Sequence, residues 1–167
     1  MTAPGTGQGS ERLLSYLDGQ RRHVVGILEG LDDTALRRPV LPSGWSCLGL
    51  VQHLTVDIER FWFRGVVGAD PAVIAEEETD AWSVAPDVPA VSVLAAYREE
   101  MDRSNAVIRA TPVDAPPAWW PVELFGEWRL DDLWEVLLHV IAETAVHAGH
   151  LDAARELIDG RQWRVLT

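Results

Sequence analysis

Apolar positions recur at three- and four-residue spacing in four separate stretches of the chain, the period of an amphipathic helix. The first stretch, residues 11–31, carries Leu13, Leu14, Leu17, Val24, Val25, Ile27, Leu28 and Leu31, with Ser10 placed to cap it. The second, 47–67, follows turn chemistry at 42–45 and the N-cap residue Ser46, and its apolar face is Leu48, Val51, Leu54, Ile58, Phe61 and Trp62. The third covers 92–110 through Val93, Leu94, Tyr97, Met101, Ala106 and Ile108, with Pro89 or Ser92 at its start. The fourth begins near Leu130 or Asp131, where two aspartates suit the positive helix end, and stops at Gly160. At about 30 residues it spans about 45 Å and is the longest element.

Residues 32–42 read as a connection with at most one helical turn. The segments 68–89 and 111–128 are long and Pro-containing. No stretch alternates at the strand period, and no repeat is visible. The pattern predicts an all-α chain, a four-helix bundle with long loops between helices 2 and 3 and between helices 3 and 4. Residues 1–9 read as a flexible tail and 10–167 as one domain. A connection as long as 68–89 is uncommon unless it covers or forms a site. Its acids (Glu76, Glu77, Glu78, Asp80, Asp87) fit a solvated insertion, and its Trp82 fits a lid.

Composition narrows the partners. A net charge of −12 argues against nucleic acid and anionic lipid, which need a basic face. There is no lysine, so Schiff-base chemistry on lysine is excluded. The single Cys47 allows no internal disulfide and fits a reducing cytoplasm; no apolar run reaches the length of a membrane span, about 18 residues. Eight tryptophans supply large apolar surfaces for a core or a pocket wall. Trp45, Asp57, Trp82 and Trp128 are the pocket candidates, and the Pro/Trp-rich 111–128 segment is placed to wall a pocket or plug the end of the bundle.

The chemistry gathers on the fourth helix. His139, Glu143 and His147 are four apart and so form one row, flanked by Val140, Ile141, Ala142, Ala145 and Val146. Three titratable groups on a core-facing row are costly to bury unpaired, and a metal ion resolves that cost. His139 and His147 are about 12 Å apart along the axis and cannot share one ion. The usable pairs are His139/Glu143, Glu143/His147 or His147/His150, completed by His53 from the second helix. His53 is the histidine best embedded in an apolar helix elsewhere; His23, beside Arg21 and Arg22, reads as a boundary residue. Two imidazoles and a carboxylate with an open position constitute catalytic coordination, for Zn²⁺ or equally Ni²⁺ or Fe²⁺. Gly149, in mid-helix, reads as a place where something approaches the backbone closely. Cys47 reads as a small core residue.

His139, Glu143, His147, Ala148, Gly149, His150, Asp152, Arg155, Glu156, Asp159 and Gly160 resemble the C-terminal signature of the DinB-like superfamily. Trp45, Ser46, Leu50, Val51, His53, Leu54 and Glu59 resemble its second-helix motif. The likeness is closest to the mycothiol-dependent branch, which holds maleylpyruvate isomerases and mycothiol S-transferases, and it covers residues 10–160. It implies an up-down-down-up bundle around one divalent metal, with His53, Glu143 and His147 as ligands. The glutamate at 143 matches the isomerase branch; a chain ending soon after the bundle matches the stand-alone transferase. The implied function is transfer of a mycothiol-type thiol to an electrophilic small molecule through a metal-bound thiolate. His139 and His150 would orient the ligands or shuttle the proton. The alternatives are a metal-dependent hydrolase using activated water and a non-catalytic metal-binding stress protein. The resemblance also implies a homodimer.

Overall fold

The computed structural model describes residues 6–76 and 80–163, with side chains from residue 9. Residues 1–5 of the expected tail and the acids Glu77 and Glu78 lie outside the described residues. All regular structure among the described residues is helical: α1 (Thr6–Leu28), α2 (Asp33–Arg37), α3 (Cys47–His53), α4 (Pro71–Ile74), α5 (Ala90–Ala110), α6 (Val122–Phe125) and α7 (Leu133–Asp159). α3 continues without a break into a π-helical stretch, Leu54–Val67. Four rods are long, namely α1, α3 with its continuation, α5 and α7. α1 packs along α7 and against α5, while the Leu54–Val67 stretch packs against α5 and α7. None of these helices is long and apolar enough to cross a membrane.

Local chemistry sets the ends of these rods. Ser46 accepts the Gly49 amide, 3.1 Å away, and starts α3 as the sequence predicts. Asp132 accepts from the Glu135 amide while Glu135 reaches back to the Asp131 amide, a reciprocal capping box that starts α7. Gly160 ends α7 at φ 79, a left-handed conformation that glycine adopts without strain. α1 corrects one expectation: it begins at Thr6, so Ser10 lies buried a turn inside the helix and does not cap it. The C-terminal carbonyls of α1 are met from α7, where buried Arg155 donates to Ile27 (2.7 Å) and Glu29 (2.9 Å).

The second rod also departs from the simple pattern. Beyond His53 its backbone bonds widen from i→i+4 towards i→i+5, as in Gly68 N to Phe63 O at 2.9 Å. No proline or glycine marks the start of the change; Leu54 to Val67 reads in sequence as ordinary helix. The loop after α5 docks on the far end of this stretch, the Trp119 amide donating to Val66 O at 3.1 Å. It also supplies carbonyls to the first amides of α7, from Ala115 to Leu133 and from Val113 to Trp134. These bonds fix the Trp119–Trp120 pair beside the two helices that carry the candidate ligands.

Candidate metal centre

His53 is the last residue of α3, at the junction with the wider helix. Its Nδ1 lies 2.8 Å from Asp57 Oδ2, one turn on. A carboxylate there fixes the ring and its tautomer, leaving Nε2 for another partner. Trp82 stacks on the face of the same ring, with centroids 4.1 Å apart and planes at 18°. The turn carrying Trp82 is tied to α3 by Gln52, whose Nε2 donates to Ala81 O (3.0 Å) and Ser83 O (3.1 Å). Gly49 permits that approach, since a Cβ there would collide with the Trp82 carbonyl oxygen.

From α7, His147 meets His53 edge-on, with ring centroids 5.0 Å apart. Its Nε2 is 3.7 Å from Glu143 Oε2, too long for a hydrogen bond. Its Nδ1 is buried with no hydrogen-bond partner. Burial, helped by nearby His53 and opposed by Glu143, pushes the His147 pKa down to about 4. The ring is therefore neutral at pH 7, the form in which imidazole binds a metal. Metal–nitrogen bonds of about 2.1 Å at a tetrahedral angle put two imidazole centroids roughly 5 Å apart and two donor atoms roughly 3.4 Å apart. The His53–His147 and His147–Glu143 pairs have about these spacings. Among the described residues no three His, Cys, Asp or Glu side chains converge closely enough to hold an ion as they stand. Glu143, 41% exposed, has room to rotate. Pairwise spacing and a neutral imidazole thus fit a divalent cation held through His147 Nε2; the unpartnered Nδ1 is the other nitrogen of that ring.

The other sequence candidates fall into place around this cluster. His139 sits against Trp62 (centroids 4.6 Å) and Trp128 (5.6 Å), a full two turns from His147, so His147 is the histidine of α7 beside His53. Burial lowers the His139 pKa, with Glu143 opposing. His150 is exposed, 5.6 Å from His147 and 6.1 Å from Trp45 between ring centroids. His23 is a boundary residue, 2.8 Å from Asp152 and stacked on Trp163. Cys47 is a core residue whose thiol burial pushes up to about 11. The reading of Gly149 is corrected: a Cβ there has nothing within 4 Å. The close backbone approach occurs at Gly49, in the first turn of α3.

A cavity of about 1060 Å³ opens onto His53, His139 and Glu143. Asp57 and Trp82 line it; Trp45 and Trp128 do not. Trp128 packs behind the wall on Phe125, 5.1 Å between centroids, and Trp45 lies beside His150. The wall facing the histidines is aromatic, built from Phe61 and Trp62 of the second rod and Trp119, Trp120 and Phe125 of the loop before α7. Phe125, Gly49 and Gln52 escape the sequence reading because their roles depend on contacts between segments far apart in the chain.

A family model described as mycothiol-S-transferase matches residues 12–160. The chain belongs to that family. The matched span runs from within α1 to Gly160, so the histidine pair, Glu143 and the aromatic wall all lie inside the part of the chain that matches the family. No curated protein and no solved structure matches the chain.

Proposed function

We propose that the protein is a metal-dependent thiol S-transferase that joins a mycothiol-type thiol to an electrophilic small molecule. His53, Glu143 and His147 are the ligands in this reading, and the observation that carries it is the spacing of His147 from the other two, 5.0 Å from His53 between ring centroids and 3.7 Å from Glu143 Oε2 at Nε2. A divalent ion, Zn²⁺ by preference, supplies positive charge that favours the thiolate form of a bound thiol. Asp57 and Trp82 hold the His53 ring in place, one on its edge and one on its face. His139, set on the cavity wall, accepts the thiol proton, and His150, beside His147, orients that ligand from the outer side. The sulfur forms a bond to the electrophilic carbon, and the electron pair leaves with the departing group. The aromatic wall excludes water and seats the apolar part of the electrophile.

The same reading takes the four rods as an up-down-down-up bundle, one metal-binding domain from residue 10 onward. It takes 68–89 as the lid and the protein as a cytoplasmic homodimer. A cavity of this size beside the histidines supports a catalytic role over a purely structural metal, which calls for a pocket filled by side chains. Hydrolysis by activated water would use the same open position and His139, and turnover without any thiol separates it from thiol transfer. Metal analysis of purified protein, then assay of thiol loss against a panel of electrophiles, tests the proposal. Turnover that requires both thiol and metal supports it. Zinc-loaded protein that consumes neither mycothiol nor any other low-molecular-weight thiol ends it.

A further inference from the structure

The cavity joins an aromatic wall to a one-sided charge pattern. Its lining holds five carboxylates, Asp57, Glu76, Asp80, Glu123 and Glu143, against one guanidinium, Arg60. Asp57 and Glu143 belong to the donor cluster, and a bound cation offsets them. Glu76 is paired with Arg60, which leaves Asp80 and Glu123 uncompensated at the cavity. Arg60 is not available to an incoming anion: it is committed to Glu76, at 3.2 Å, and to the fully buried Glu100, at 3.4 Å. The same lining carries the rings of Phe61, Trp62, Trp119, Trp120 and Phe125, whose faces favour positive charge and offer apolar contact to a flat neutral molecule. A carboxylate or sulfonate group entering here meets repulsion and finds no free cationic partner among the described lining residues.

Building on the thiol-transfer reading, we propose that the electrophile is an aromatic or extended apolar molecule that carries no negative charge. A positive charge on it is favoured, and anionic substrates such as keto acids are excluded by the site. Glu123, exposed on the short helix α6, and Asp80, exposed at the start of the Trp82 turn, are the specificity residues.

Isothermal titration of the full chain, as purified, with three matched probes tests this: naphthylmethyl alcohol, naphthylmethyl-trimethylammonium and naphthalenesulfonate. The sulfonate should bind at least about tenfold more weakly than the ammonium at low salt, and the gap should narrow at high salt. Glu123→Arg should raise sulfonate affinity several-fold and lower ammonium affinity. Sulfonate binding equal to or tighter than the others, or no binding of any probe, overturns the proposal. Because the titration needs neither thiol nor turnover, it can fail while thiol transfer stands, and a failed turnover assay leaves it intact.

Discussion

The rod from Cys47 to Val67 carries two polar centres that face different neighbours. Towards α1 and α5, Glu59 takes both carboxylate bonds from Arg21, at 2.7 and 2.6 Å, and both side chains are almost fully buried. Arg21 also donates to Asp18 (2.8 Å) and Asn105 (2.7 Å), and burial, which works against its charge, is outweighed by Glu59. Towards α7, His53 has one carboxylate partner, and His147 has none within bonding distance. The first centre is saturated; its only loose end is the neighbouring Tyr97 hydroxyl, which has no hydrogen-bond partner. The second brings His53, His147 and Glu143 together in pairs, with no three converging, beside a cavity lined by His53 and Glu143. A buried charge that is fully partnered holds a fold together, whereas a buried donor set left open waits for something the chain does not supply.

Breaking the saturated centre should have the largest effect. Arg21→Met leaves Glu59 as an unpaired buried charge and should cost about 3–5 kcal/mol of unfolding free energy, read by urea denaturation. Replacing both partners, Arg21→Met with Glu59→Leu, should cost clearly less than the single change, because no orphaned charge remains. If the single variant is as stable as the wild type, the pair does not hold α1 to the second rod.

The open centre should respond in the opposite manner. His147→Ala should lower divalent-metal affinity by at least about 100-fold by titration calorimetry while leaving the helical circular dichroism unchanged. Loss of fold with no change in metal binding would assign His147 to packing alone.

Acid should separate the two centres as well. The unfolded chain takes a proton on His147 near pH 6.5, but the folded, metal-free chain does so only near its pKa of about 4. Between those values the unfolded state binds more protons, so stability falls as the pH drops through that window and is level above it. About 2 kcal/mol of the acid loss should belong to this residue, given its partial burial, and His147→Gln should flatten the curve by that amount. Identical pH profiles for the two proteins would mean that His147 titrates normally.

How far the sequence carries is visible in particular residues. The helices, Ser46 as a cap and Gly160 as a stop are readable because each rests on local spacing, whereas spacing offers three ligand pairs on the fourth helix and the set of His53, Glu143 and His147 comes from the family resemblance. The choice of His147 over His139 beside His53 is left open by spacing alone, since both are four residues from Glu143; only the packing of α7 on the second rod decides it. The π-helical stretch leaves no mark because its apolar positions satisfy either helix. Nothing local marks Arg21 before Glu59 is placed opposite it, and Trp82, a pocket candidate in a long loop, gains its partner only when Gln52 and Gly49 bring its turn onto His53.

Two helical glycines, Gly49 in the first turn of α3 and Gly149 in the middle of α7, turn the comparison into its finest test. Each looks alike in sequence, a glycine where alanine is the better helix former. At Gly49 a Cβ meets the Trp82 carbonyl, so Gly49→Ala must push the 80–83 turn off α3 and should cost about 1–3 kcal/mol. It should also loosen Trp82 from His53, shifting tryptophan emission towards the red and weakening metal binding. At Gly149 the added methyl meets nothing within 4 Å, so Gly149→Ala should stabilise the protein by roughly 0.5–1 kcal/mol through helix propensity. Opposite signs for the two substitutions, measured in one denaturation series, place the close approach at the Trp82 turn. Equal signs would mean that this turn does not rest on the helix, and His53 would then be held by Asp57 alone.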